Sequence, residues 1–310
     1  MSETPTTGAG VEPGARFDPR VLEALGSTRL RALHVVEGMI VGMHRSPHKG
    51  ASVEFAEYKE YQPGDDVRSI DWRAYARADR YYVKQYDDET NLRAYLLLDI
   101  SASMNVAYGA AWTKRAYAAT LLAAFAYLLI RQGDAPGLLL FDGQPRTLLP
   151  PSTKRSQLED LCRLADEVEG GPATDIEAAL RRIAEASARR SLVVLASDLL
   201  DPNEELLTMA RVLRRRGMEV VVFHIVDPAE ERFPFEGMTT FVGQEGEGEL
   251  LCEPDDLRSA YVEAFAAHLD AMRTRCRQGD LEYFVSRTDE PVSGPLQQLL
   301  QGRTRRRGRR

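Results

Sequence analysis

The chain has 310 residues, of which 44% are hydrophobic, and this is enough for one large α/β domain or two smaller ones. Its net charge of -7 disfavours a general nucleic-acid-binding protein, because contacts to phosphates need a basic surface. The three cysteines, Cys162, Cys252 and Cys276, are far apart and indicate neither a disulfide framework nor a zinc site. We therefore expect a soluble protein of the reducing cytoplasm.

The sequence carries no targeting or membrane signal that we can identify. Residues 1–16 are polar and turn-forming, and they predict a disordered lead-in rather than a secretory signal. The longest apolar run, Ala116 to Ile130, is shorter than the roughly 20 residues that a bilayer span requires. We expect this run to be a buried helix and the chain not to insert into membranes.

Residues 17–90 predict a small N-terminal subdomain of helices and short strands. The apolar spacing from Asp18 to Met39 is typical of one or two short helices, with a break near Gly26 and Ser27. The segment from Val41 to Asp88 is rich in Tyr, Gly, Pro, Asp and Arg and has little helical periodicity. It therefore predicts loops and short strands.

From residue 91 to residue 302 the sequence alternates between apolar strand patterns and helical patterns. This alternation predicts an α/β domain with a mainly parallel sheet and helices on both faces. A basic tail with six arginines follows at residues 303–310. The predicted strands are 94–98, 135–141, 191–196, 219–226 and 281–285, and the predicted helices are 111–131, 156–168, 175–189, 203–216 and 255–277.

Polar side chains follow the predicted strands where ligands bind in open parallel sheets, at the carboxyl ends. Asp99, Ser101 and Ser103 leave the first strand in "LLLDISASMN", Asp198 leaves a later strand, and Thr174 precedes a helix. Hydroxyl and carboxylate oxygens suit Mg²⁺ or Mn²⁺, which binds about six oxygen ligands. The pattern predicts a site for one ion. The alternative is that these residues only cap helices and turns, with Asp175 as the better cap beside Thr174.

The residues Asp99 to Ser103 resemble the Asp-x-Ser-x-Ser motif of the metal-ion-dependent adhesion site in von Willebrand factor type A domains. In that family the two serines bind Mg²⁺, a threonine binds it directly or through water, and aspartates hold the coordinating waters. The resemblance implies these roles for Ser101, Ser103, Thr174, Asp99 and Asp198. It also implies a Rossmann-like von Willebrand factor type A fold.

A second resemblance lies upstream, in Tyr61 to Trp72 ("YQPGDDVRSIDW") followed by Ala76-Arg77. This stretch is similar to the signature of the domain-of-unknown-function-58 family, and the likeness extends over nearly the whole chain from about Arg29. Its Pro63-Gly64 pair predicts a β-turn. The neighbouring aspartates and arginines favour a structural clasp made of ion pairs over a direct ligand site.

Together these patterns predict a non-enzymatic, protein-binding module that docks an acidic side chain of a partner through the metal. Members of the family are associated with MoxR-type AAA+ ATPases, and the resemblance implies a chaperone-like role in assembly or maturation. One alternative is a Mg²⁺-dependent phosphohydrolase, although the second acid that such enzymes need is replaced by Ser101. The other is a scaffold with a vestigial metal site that makes its contacts through the basic tail.

Overall fold

The computed structural model describes residues 26–45, 58–60, 82–84, 92–187, 190–200, 204–244 and 248–307. They belong to two compact units. The larger contains the residues up to Val41 and those from Leu92 onward, and the smaller lies between Gly42 and Asn91. The predicted lead-in at 1–16 and the signature from Tyr61 to Trp72, with its predicted clasp, lie outside the described residues.

Ten strands are described, two of them in the smaller unit, where they form an antiparallel pair. In the larger unit, six strands form one sheet and two form a separate hairpin. The strands are β1 (Tyr58–Glu60), β2 (Tyr82–Lys84), β3 (Arg93–Asp99), β4 (Ala135–Phe141), β5 (Pro145–Leu149), β6 (Leu192–Ser197), β7 (Glu219–Val226), β8 (Thr239–Val242), β9 (Glu249–Cys252) and β10 (Glu282–Arg287).

The six-stranded sheet has the order β10-β7-β6-β3-β4-β5, and every neighbouring pair is parallel except β4 with β5. The first strand of the sheet in sequence, β3, lies inside it between β6 and β4. The chain therefore builds the sheet outward in both directions from β3. A crevice for ligands forms at such a switch point, at the carboxyl ends of the strands.

Helices cover both faces of this sheet, so its strands are apolar on both sides. Side chains alternate along a strand, and in β3 this places Leu96 and Leu98 in one core and Leu97 in the other. Helices α1, α2, α3 and α8 contribute to the first core, and α4, α5 and α7 to the second. The helices are α1 (Thr28–Arg45), α2 (Lys114–Arg131), α3 (Gln157–Glu167), α4 (Ile176–Ala186), α5 (Glu204–Arg215), α6 (Pro228–Arg232), α7 (Pro254–Gln278) and α8 (Ser293–Arg307).

The predicted fold class is confirmed as α/β: a mainly parallel sheet lies between two layers of helices. Helix α1 begins directly after Ser27, in agreement with the predicted break, and Ala32, Val35, Val36 and Met39 pack in the first core. This helix thus groups with the larger unit up to Val41, whereas the sequence assigned it to the N-terminal subdomain.

Some elements differ from the prediction. Helix α2 begins at Lys114 rather than Ala111, because the Thr113 hydroxyl accepts a hydrogen bond from the backbone N–H of Ala116 and caps the helix. Edge strand β5 and helix α8 were not predicted, and α8 extends through Arg307, into the segment predicted as a basic tail. Within the described residues, no helix combines the length and hydropathy that a membrane span requires.

Replacement of Leu97 by alanine tests the central position of β3. Leu97 is fully buried and is paired with Leu139 on one side and Leu195 on the other. We expect Leu97→Ala to lower the free energy of unfolding by about 2–5 kcal/mol, measured by denaturant titration. The matched control is Leu30→Ala, because Leu30 is 52% exposed on α1 and its truncation should change stability by less than about 0.5 kcal/mol. Equal losses in the two variants would contradict the assignment.

Candidate metal centre

The carboxyl ends of β3 and β6 are adjacent and supply the two carboxylates of the candidate site. Leu98 of β3 is paired with Ala196 of β6, so Asp99, which ends β3, lies beside the loop that begins with Asp198. Both aspartates are buried, with exposed fractions of 0% and 2%. The parallel register thus brings together two acidic residues that are 99 positions apart in sequence.

The loop that leaves β3 folds back on the Asp99 side chain. The backbone N–H of Ser101 donates to Asp99 Oδ1 (3.0 Å), and the hydroxyl oxygens of Ser101 and Ser103 are 3.1 Å apart. Adjacent ligands of an octahedral Mg²⁺ with bonds of about 2.1 Å are themselves about 3.0 Å apart. The spacing of the two hydroxyls therefore fits a pair of neighbouring Mg²⁺ ligands.

Ser197, the last residue of β6, connects the two acidic loops. Its hydroxyl donates to Asp99 Oδ2 (2.6 Å) and accepts a hydrogen bond from the backbone N–H of Leu199 (3.1 Å). Leu199 has a left-handed backbone, with φ of 50°, which is uncommon for a residue with a side chain. The bond from Leu199 to Ser197 holds this turn and thereby sets the position of Asp198.

Burial, together with the nearby charge of Asp198, raises the pKa of Asp99 to about 7. The hydrogen bonds from Ser197 and Ser101 oppose this shift but do not cancel it. Loss of hydration on burial is the larger cause of the raised pKa, and the charge of Asp198 adds to it. A cation next to Asp99 would favour the ionised form of its carboxyl group.

Lys114, at the first position of α2, supplies one positive charge next to the site. Its ammonium group donates to Asp198 Oδ2 (2.8 Å) and to Glu230 Oε1 (2.5 Å), and the residue is fully buried. Burial opposes the charge of Lys114, but the two carboxylates hold its pKa above the ordinary value. Burial also raises the pKa of Glu230, against the effect of Lys114. Lys114, Asp198 and Glu230 thus form a buried ionic cluster next to the candidate site.

Asp227, which directly follows β7, fastens the next loop to the same edge of the sheet. Its carboxylate accepts hydrogen bonds from the backbone N–H groups of Tyr108 (3.0 Å), Gly109 (2.9 Å) and Ala229 (2.8 Å). The Glu230 side chain accepts a bond from the Asp227 N–H in return, which completes a capping box on α6. The segment between Ser103 and α2 is therefore tied to α6.

The loop that carries Thr174 packs directly against the loop that carries the serines. The N–H of Ala102 donates to the carbonyl of Gly171 (3.0 Å), and a Cβ at Gly170 would lie 1.4 Å from the carbonyl oxygen of Ile100, so only glycine fits there. Thr174 is half-buried in this loop. The side chain of Asp175 accepts a bond from the Ala178 N–H and caps α4, as the alternative interpretation of this pair required.

The structure thus brings Asp99, Ser101, Ser103 and Asp198 to one buried place and puts the loop of Thr174 beside them. Two carboxylates and two or three hydroxyls suit a hard divalent cation, with water as the remaining ligands. In the part of the chain that is described, no group of three or more His, Cys, Asp and Glu side chains could hold a metal. This excludes a ligand set of the zinc type in those residues and leaves the hydroxyl-based set open.

Comparison with known proteins identifies the family of the chain. Residues 57–271 match the model of the family described as Protein of unknown function DUF58. The chain belongs to the DUF58 family. An uncharacterized protein of Mycobacterium tuberculosis and one of Mycobacterium bovis are each 30% identical to it over 265 residues, which is 83% of this chain and 82% of theirs.

Among solved structures, this DUF58 chain is similar to a conserved hypothetical protein BatB from Bacteroides thetaiotaomicron, with 15% identity and a TM-score of 0.46 over 69% of this chain and 99% of that one. It is also similar to the SpRpn10 VWA domain, with 9% identity and a TM-score of 0.40 over 67% and 95%. A von Willebrand factor type A protein from Catenulispora acidiphila has 13% identity and a TM-score of 0.32 over 57% and 42%.

Sequence reasoning missed four residues that organise the centre: Lys114, Asp142, Asp227 and Glu230. Asp142, directly after β4, accepts bonds from the Gly171 N–H (2.7 Å) and Arg146 Nε (2.7 Å) and so holds the Thr174 loop. A signal was present for the aspartates, since Asp142 and Asp227 follow apolar strands as Asp198 does. Lys114 could have been noticed because it lies in the first turn of a helix, where the helix dipole disfavours a cation. A lysine at such a position indicates that another group compensates for this effect.

Replacement of Lys114 by methionine tests the buried ionic cluster. Methionine retains most of the volume but leaves Asp198 and Glu230 without their cation, so we expect the free energy of unfolding to fall by about 3–5 kcal/mol. Denaturant titration measures this loss. In the control, Arg163→Met breaks an exposed pair with Glu167 and should cost less than about 1 kcal/mol. A Lys114→Met protein as stable as the control would contradict a structural role for the cluster.

Proposed function

We propose that this DUF58 protein is a non-enzymatic binding module that docks a partner protein through a divalent cation. Ser101, Ser103 and Thr174 would contact Mg²⁺ or Mn²⁺, and Asp99 and Asp198 would hold its water ligands. The bound cation would supply an electrophilic position for an acidic side chain of the partner. A MoxR-type AAA+ ATPase is the partner we expect, in a chaperone-like assembly or maturation role, and a cytoplasmic location fits this role.

The observation that carries the proposal is the hydroxyl pair of Ser101 and Ser103 beside two buried carboxylates. The hydroxyl oxygens are 3.1 Å apart, and the Ser101 N–H bond to Asp99 fixes the loop that presents them. Neutral hydroxyls leave most of the charge of a divalent cation uncompensated. This composition favours capture of an external carboxylate over a closed structural site.

The surface next to the centre also supports docking. Tyr108 is 55% exposed on the loop that Asp227 fastens, and Leu200 is 50% exposed two residues after Asp198. These two are among the few large hydrophobic side chains that the described residues expose. Aromatic side chains such as that of Tyr108 are enriched at protein interfaces relative to the rest of the surface.

The environment of Asp99 disfavours the phosphohydrolase alternative. A nucleophilic aspartate needs a carboxylate oxygen that can approach phosphorus. Asp99 is fully buried, its Oδ1 accepts the Ser101 N–H, and its Oδ2 accepts the Ser197 hydroxyl. A carboxylate fixed on both oxygens is better suited to orient water ligands than to attack a substrate.

Metal binding by the isolated protein tests the centre directly. We expect Mg²⁺ to raise the thermal stability of the wild type, with a gain near 2.7 kcal/mol at about one hundred times the dissociation constant. Ser101→Ala removes one predicted ligand and should abolish most of this gain. Ser156→Ala is the matched control, because Ser156 is exposed and its side chain makes no capping bond. A stabilisation by Mg²⁺ that is equal in both variants would exclude Ser101 as a ligand.

Partner capture tests the docking function. The full chain is immobilised and presented with a purified MoxR-type AAA+ ATPase from the same organism, with Mg²⁺ or with EDTA. We expect retention only with Mg²⁺, and we expect Ser101→Ala to lose it while Ser156→Ala retains it. Retention that is insensitive to EDTA and to Ser101→Ala would contradict metal-dependent docking. No retention under any condition would contradict this choice of partner.

A further inference from the structure

The β8–β9 hairpin and the start of α7 form an acidic and apolar surface that the metal centre does not use. From Phe233 to Leu257 the sequence holds seven carboxylates and no Lys, Arg or His. The chain has 47 acidic and 40 basic residues, so this segment accounts for the whole net charge of -7. The excess of acidic residues in the sequence therefore falls within this one segment.

Exposed hydrophobic side chains concentrate in the same segment. Of the eight large hydrophobic residues exposed in the described part of the chain, five lie here, with exposed fractions from 40% to 69%: Met238, Val242, Leu250, Leu251 and Leu257. Such clustering of apolar side chains is typical of an interaction surface, whereas single exposed ones are ordinary.

The pairing of the hairpin explains why one of its faces is uncovered. Phe241 points to the inner face, where its ring packs against Phe233 (5.4 Å between centroids) and Phe235 (5.2 Å). The opposite face carries Val242 and Leu251, which are 54% and 64% exposed, since strand side chains alternate and cross-strand partners share a face. The inner contacts anchor the hairpin and leave this outer face free.

Four of the five carboxylates that the structure describes in this segment lack a basic partner. Asp255 pairs with Arg258 (2.6 Å), which also donates to the carbonyl groups of Phe233 and Phe235. Among the other described acidic residues of the segment, none forms an ion pair: Glu236, Glu249, Glu253 and Asp256. A complementary ligand must therefore be basic and must offer aliphatic surface, and arginine side chains provide both.

The basic tail, residues 303–310, has this chemistry. It carries six arginines. Arginines in the last turn of α8 are expected, because they stabilise the negative end of the helix dipole. Arg309 and Arg310 follow the helix in sequence, so the dipole does not account for them. Arg303 pairs with Glu219 (3.2 Å), the first residue of β7, whereas the hairpin follows the other end of that strand. Eight residues of strand span roughly 25 Å. The base of the tail and the hairpin thus lie at opposite ends of the sheet.

We propose that the outer face of the hairpin binds the basic tail of a second copy of this chain. The contact is heterologous, because the donor molecule keeps a free hairpin and the acceptor keeps a free tail, so association continues head to tail. Exposed ion pairs are individually weak and are screened by salt. The association is therefore weak, depends on concentration and is strongest at low ionic strength.

Sedimentation equilibrium of the full chain tests this proposal. At about 0.01 M salt we expect the weight-average mass to rise with protein concentration above the 34.7 kDa of the monomer, and at about 1 M salt to return toward it. A mass that stays at the monomer value at low salt and high concentration would overturn the proposal. That outcome includes the case in which a tail binds its own hairpin or only a different protein.

Charge reversal identifies the surfaces. We expect two variants to lose at least about tenfold in self-association. The hairpin variant is Glu249→Lys, Glu253→Lys and Asp256→Lys, and the tail variant is Arg305→Glu, Arg306→Glu and Arg307→Glu. An equal mixture of the two should associate again, because the native tail of the hairpin variant meets the native hairpin of the tail variant and the two reversed surfaces also complement each other. Absence of this rescue, with both variants folded by circular dichroism, would overturn the pairing of these two surfaces.

Two controls separate this contact from a general charge effect and from the metal centre. Reversal of three exposed carboxylates on other helices should leave self-association unchanged: Glu37→Lys, Glu159→Lys and Glu185→Lys. Val242→Ser with Leu251→Ser keeps every charge and should weaken association, since it removes the apolar part of the face. EDTA and Ser101→Ala should have no effect here, so the failure of one proposal leaves the other intact.

Discussion

Repulsion between two buried carboxylates is the constraint around which the centre is organised. The parallel pairing of β3 with β6 brings Asp99 and Asp198 together, and both side chains are buried away from solvent. The polypeptide compensates in part: Lys114 neutralises charge behind Asp198, while the Ser197 hydroxyl and the Ser101 N–H stabilise Asp99. With Asp99, Asp198 and Glu230 all ionised, the cluster retains an excess of two negative charges. That excess would attract a divalent cation to the serines, while the neutral hydroxyls in contact with the cation would leave it electrophilic.

This constraint also explains why the loops at this edge are cross-linked. Asp142 holds the loop of Thr174, Asp227 holds the segment at Tyr108 and Gly109, and Lys114 joins Asp198 to Glu230. Each link ties the loop after one strand to the loop or helix after another. The candidate ligand side chains on these loops would lose little conformational freedom on binding a metal, and preorganisation of this kind increases affinity.

The parts of the structure that local patterns determine were predictable. The strands β3, β4, β6 and β7 are continuous apolar runs, because helices cover both faces of the sheet, and their boundaries were close to those observed. Edge strand β5 begins with a proline and alternates poorly, so it carried little strand signal. Helix α8 was missed because its arginines dominated the pattern, although Leu296 and Leu299 pack in the first core at helical spacing.

The candidate ligands were predictable because their positions follow from strand ends. The partnership of Lys114 with Asp198 and Glu230 was not, since it joins residues 84 and 116 positions apart.

The candidate metal centre and the acidic hairpin are separate surfaces of the larger unit. Helix α6 carries Glu230 toward Lys114, and one residue after the helix ends Phe233 takes a left-handed conformation (φ 45°) and enters the aromatic cluster that anchors the hairpin. Only a few residues of well-packed chain thus separate the two.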